Sequence, residues 1–191
     1  MTDDVKQLVD SGWCSRPEVV SLNEISRERA SRSRHGTSTA TYTAIARQLL
    51  HDVEGKLLAP LERLMPGDAP GGHIAELRRQ LQADTEMWAA QVTGADSELA
   101  KETISSIISA VYLDGTEFTP PASWWQTPFG SLVARRLGHP TSPVVSLSVA
   151  SAMLGITRQG AHDLLKRGKL QRHLEEPGVL VSSIQDRLDP Y

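Results

Sequence analysis

One cysteine, Cys14, stands in 191 residues. A single thiol excludes an intrachain disulfide and is too few for a cysteine-based structural zinc site. Such usage fits a reducing, cytoplasmic compartment. Aromatic side chains are scarce at 5%, so a core must be assembled mainly from Leu, Val, Ile and Ala. No apolar run approaches the ~20 residues that a membrane-spanning helix needs. The opening residues, MTDDVKQLVDSGW, begin with acids and lack the apolar centre of a secretory signal. A glycine-rich phosphate loop, metal-ligand spacing and a nucleophile–base set in recognisable context are all missing. HDVE and DTE place carboxylates singly on helix faces, where solvation explains them. The expectation is a cytoplasmic protein with no membrane segment, no cofactor and no enzymatic site.

What is present is an ordinary globular balance, 39% hydrophobic and 23% charged, with a formal net charge of -3. A chain that is acidic overall does not coat nucleic acid indiscriminately, so the distribution of charge matters more than its sum. The length suits one core, or a core with a small appended domain. Residues 1–38 are polar, with Arg27, Arg29, Arg32 and Arg34 opposed only by Glu24 and Glu28, and read as a flexible basic arm.

Residues 39–138 read as a helical assembly domain. Tyr42, Ile45, Leu49, Val53, Leu57 and Leu61 recur at three- and four-residue intervals, one helical stripe. Pro60 is expected to kink or end it, and a loop follows over 66–72. A second helix over about 73–92 carries Ile74, Leu77, Leu81 and Trp88 on one face and breaks at Gly94. Asp96 caps a third, over about 97–113, with Leu99, Ile104, Ile107, Ile108 and Val111. Beyond the breaker-rich DGTEFTPPASWWQ, Thr127 as N-cap and Pro128 as first residue open a short helix closed by Gly138. The adjacent Trp124 and Trp125 suit a packing wedge between the two parts better than a stacking platform for a ligand.

The last part, 144–191, is the most informative. Ser148 is a plausible N-cap for a helix burying Ala150, Met153 and Leu154, and Gly155 suits a sharp turn at positive φ. Ile156 is expected to plug the core, and Thr157 to cap a second helix that buries Ala161, Leu164 and Leu165 and ends at Gly168. Arg158, Gln159, His162, Lys166 and Arg167 are left facing outward. KLQRHL and VLVS flank Glu175-Glu176-Pro177-Gly178 as a strand–turn–strand wing carrying Lys169, Arg172 and His173. Ser182 or Ser183 then caps a closing helix with Ile184 and Leu188. From Thr157 to His173 there are five Lys or Arg residues and one acid, Asp163, the footprint expected for phosphate contact. No acid or cysteine stands near His162 or His173 at metal-ligand spacing.

The order Ser148, Ala150, Leu154-Gly155-Ile156-Thr157-Arg158, Leu164, Gly168-Lys169-Leu170, wing, Ile184 resembles the winged helix-turn-helix head shared by MerR-like regulators and phage excisionases. The resemblance covers under a quarter of the chain. It implies a mainly α fold ending in a head with a small two-stranded β wing, and sequence-specific binding of double-stranded DNA by a transcriptional regulator or repressor. Thr157, Arg158, Gln159 and His162 would approach base edges, while Lys166, Arg167, Lys169, Arg172 and His173 would meet the backbone. The arginines of the arm could add contacts of their own. Read from the residues, the helical domain would assemble a homodimer or higher oligomer to present paired heads. MerR regulators carry this head at the N-terminus, whereas here it is C-terminal, and no downstream cysteine supports metal sensing. An excisionase-like architectural role, an antitoxin-like interaction module and a small-molecule sensor stay open as alternatives.

Overall fold

A computed structural model describes residues 39–65 and 72–188. The arm with Arg27, Arg29, Arg32 and Arg34 lies outside the described residues. The protein is mainly helical, with one small two-stranded antiparallel sheet.

Helix α1, Thr39–Val53, buries Ile45, Leu49 and Val53 at four-residue spacing. It does not end at Pro60. Residues Glu54–Leu58 widen into a π turn, the Ala59 N–H donating to the Glu54 carbonyl five residues back. Proline has no N–H and its ring crowds the preceding turn; the wider turn accommodates both defects, and the helix resumes as α2, Ala59–Leu64. The extra residue also shifts the buried phase. Leu58, 1% exposed, takes the core position that the stripe assigned to Leu57, which is 44% exposed.

Helix α3, His73–Thr93, packs against α1, and α4, Ser97–Ile107, packs against α3. Gly94 lies just past α3, and the Asp96 carboxylate caps α4 by accepting from the Glu98 and Leu99 N–H groups, each at 3.1 Å. α4 runs on into a second π turn, Ile108–Tyr112. A 3-10 turn, Ala122–Gln126, carries the two tryptophans and leads into α5, Pro128–Arg136. As the composition suggested, Thr127 caps α5, accepting from the Gly130 N–H at 3.1 Å.

The scarce aromatics are concentrated in one cluster. Both phenylalanines, Phe118 and Phe129, pack with Tyr112, Trp124 and Trp125, the two indoles meeting edge to face at 5.1 Å between centroids. The Trp-bearing turn also packs against α6, Leu147–Met153. One set of buried side chains is therefore continuous from Ile45 and Leu49, through Trp125 and Val133, to Ala150, Met153 and Ile184.

The expected hairpin across 175–178 is present only as a short bridge, and the strand after it has a second partner that the pattern did not indicate. Strand β2, Val179–Leu180, pairs with β1, Val144–Val145, in the register Val144 opposite Leu180 and Val145 opposite Val179. On the other side of β2, Val179 bridges Arg172 in antiparallel fashion, the Leu180 N–H donating to the Gln171 carbonyl at 2.9 Å and the His173 N–H to the Gly178 carbonyl at 3.2 Å. Residues 171–173 thus run along one edge of β2, whose other edge is taken by the strand that precedes α6. Val145 faces the core while Val144 is half-buried, as alternation along a strand requires. Helix α8, Val181–Leu188, follows β2 without a break.

Candidate nucleic-acid interface

Helices α6 and α7, Arg158–Lys166, pack against each other across the turn at 154–157. Ser146, not Ser148, caps α6, its hydroxyl accepting from the Val149 N–H at 3.2 Å. Pairing of Val144 and Val145 fixes the helix start two residues earlier than the apolar pattern indicates. Gly155 has φ +64° and no neighbour near where a Cβ would stand, so its role is conformational. Ile156 does not plug the core: it is 38% exposed beside this turn. Its N–H instead donates to the Ser151 carbonyl and closes the helix end.

Thr157 caps α7, accepting from the Gly160 N–H at 3.1 Å. Ala161 is fully buried, and Leu164 and Leu165 are half-buried. The helix ends at Gly168, with φ +65°, where the Gly168 and Lys169 N–H groups bond the Leu165 and Leu164 carbonyls. At ~1.5 Å rise per residue such a helix is about 13 Å long, a length that a major groove accepts.

The charged side chains lie where the sequence placed them in order, and the structure gives each a setting. Arg158, Lys166, Arg167, Lys169 and Arg172 are exposed, and among the described residues none has a carboxylate within ion-pair distance. The cations with such partners, Arg78, Arg79 and Lys101, are on α3 and α4. Gln159 is exposed but tethered, its amide donating to the Asp163 carboxylate at 3.2 Å. His162 is half-buried.

His173 has a local duty that the sequence did not reveal. Its ring Nδ1 accepts from the Glu175 and Glu176 N–H groups at 3.4 and 3.0 Å, while its backbone N–H donates to the Gly178 carbonyl. The imidazole therefore holds the turn, with Leu174 fully exposed beside it. Glu175 and Glu176 bring two exposed carboxylates to this tip, a sign that repels phosphate. Ser183 likewise serves the fold: it accepts from the Gln171 N–H and donates to the Leu180 carbonyl, tying the stretch after Gly168 to α8.

Among the described residues no group of His, Cys, Asp or Glu could hold a metal ion, and no helix is long and apolar enough to cross a membrane. Compared with protein-family models, curated proteins and solved structures, the chain finds no match.

Proposed function

We propose that residues 144–188 form a winged helix-turn-helix head that reads double-stranded DNA, and that the protein is a transcriptional regulator of the repressor type. One observation carries this reading. In a chain of net charge -3, five exposed cations without carboxylate partners among the described residues gather on α7 and the segment after it. Unpaired surface cations of one sign suit a polyanion.

The start of α7 enters the major groove. Arg158 forks onto a guanine, and Gln159 exchanges its exposed contact with Asp163 for an adenine edge. Thr157 and His162 flank them on the same helix. Lys166, Arg167, Lys169 and Arg172 hold phosphates. The two carboxylates at the wing tip keep that tip off the backbone, so contact is confined to the base of the wing. His173 acts here through the shape of the turn. A single module covers little DNA, so two copies on paired half-sites supply the affinity that a regulator needs.

The test is the substitution Arg158→Ala, measured on a selected duplex and on random duplex at fixed salt. Specific binding should weaken by about 1–3 kcal/mol with little change on random DNA. Equal losses on both would remove Arg158 from base reading.

A further inference from the structure

Several stripe side chains are not absorbed by the core. Leu57 and Leu99 are 44% and 41% exposed, and Leu81, Trp88 and Val111 are half-buried. They come from three different helical stretches and converge on one cavity of about 400 Å³. That volume lies in the range of small-molecule sites, and so does the composition, mostly apolar with a few polar groups. The polar groups are Gln91, Glu102, Thr103 and Ser106. Thr103 is already engaged, bonding the Leu99 carbonyl at 2.8 Å and the Gln91 carboxamide at 3.1 Å.

Two further features mark this cavity as built. Both π turns line it, the first through Leu57 and the second through Ala110 and Val111. π turns within helices occur disproportionately at functional sites. Lys56 joins the two turns, its Nζ donating to the Val111 carbonyl at 3.3 Å and lying 3.9 Å from the centre of the Tyr112 ring. The first π turn is also what rotates Leu57 out of the core and onto the cavity wall. Among the described residues the single charged side chain in the lining is Glu102, which has no cation within ion-pair distance.

We infer that this cavity binds a small apolar molecule, aromatic in body, that carries an ammonium group. The ring lies against Trp88, Leu81 and Leu99, and the ammonium faces the unpaired Glu102 carboxylate, with Ser106 beside it. The inference does not rest on DNA binding, and its measurement needs no DNA.

The probe is 1-naphthylmethylammonium, with 1-naphthylacetate as its anionic match, titrated calorimetrically into the full chain. The ammonium should bind saturably, one per chain, and roughly fivefold more tightly than the carboxylate, the scale of an exposed charge pair. Glu102→Gln should erase that preference while keeping the binding. Ser106→Phe, at an exposed helix position that tolerates the ring, should weaken both probes at least about tenfold by filling the cavity. Circular dichroism would confirm that both variants fold. Absence of saturable binding, or binding indifferent to both substitutions, overturns the assignment. So does a dimer in sedimentation equilibrium that Leu57→Lys disperses, because a second copy would then cover this face.

Discussion

Gln48 is half-buried on α1, and its carboxamide ties that helix to the start of α5 while also meeting Asp52 one turn on. Its oxygen accepts from the Phe129 N–H at 2.9 Å, its nitrogen donates to Thr127 Oγ1 at 3.0 Å, and the Asp52 carboxylate beside it takes the Tyr112 hydroxyl. Burial, reinforced by the hydrogen bond to Asp52, keeps that hydroxyl protonated far above the ordinary tyrosine range. Gln48→Leu would strand the Phe129 N–H and one side of Thr127. A loss of about 1–3 kcal/mol in chemical denaturation is expected. His139 supplies a pH prediction. Its ring packs against Phe118 and Trp125, and burial lowers its pKa from the usual 6.5. The unfolded chain therefore binds a proton that the folded one resists. This contribution to stability is complete above about pH 6.5 and declines as pH falls below it towards the folded-state value. Melting temperatures between pH 7.5 and 5 should fall less steeply in His139→Gln; parallel curves would remove His139 as the cause. None of these polar ties was legible in the sequence. Gln48 and Asp52 are one turn apart on α1, but Tyr112 lies 60 positions beyond Asp52, at the end of the π turn after α4, and only tertiary packing brings it there. By contrast the caps Asp96, Thr127 and Thr157 could be read directly, because a cap acts within three residues of itself.

Among elements, the sheet shows how much a local pattern leaves out: the hairpin bridge is there, but the longer pairing is not local. A turn of Glu-Glu-Pro-Gly between short apolar segments suggests a hairpin, yet β2 takes Val144 and Val145, more than thirty positions upstream, as its main partner. Gly178 records the choice: a Cβ there would lie 2.3 Å from Val144 Cγ1 and 3.0 Å from the Val145 carbonyl. Gly178→Ala should therefore destabilise the protein by more than about 2 kcal/mol, although a free hairpin turn would accept it. A change within experimental error would show that β1 does not pair as described. Gly155→Ala meets open space, so only its backbone conformation resists, and a loss of about 1–2 kcal/mol is expected. The same contrast explains Leu57. Helical period placed it in the core, but a π turn inserted ahead of Pro60 rotated it out, and period alone cannot register one extra residue. Helix existence and order were readable from stripes and breakers, whereas phase past an irregular turn was not.

For the whole molecule, α7 and the segment after it stand out by gathering five exposed cations without carboxylate partners among the described residues, where unpaired cations elsewhere, such as Arg47, Arg135 and Arg187, stand singly. On α3 and α4, Arg78, Arg79 and Lys101 meet glutamates, while the cations of α7 and its continuation meet none among the described residues. If that surface lies against DNA, Lys166→Ala should weaken binding to all duplexes alike. It should also lower the slope of log affinity against log salt by about 1. An unchanged slope would take Lys166 off the backbone. The core is continuous from α1 to α8, and the Trp-bearing turn packs directly on α6, so α6 and the helix that follows it rest on that core. The most direct test is selection of duplexes bound by the full chain from a random pool at physiological salt. An enriched, specific motif, repeated as paired half-sites and lost with Arg158→Ala, is the predicted result. Recovery of no motif, with binding that depends on salt alone, would contradict sequence reading by α7.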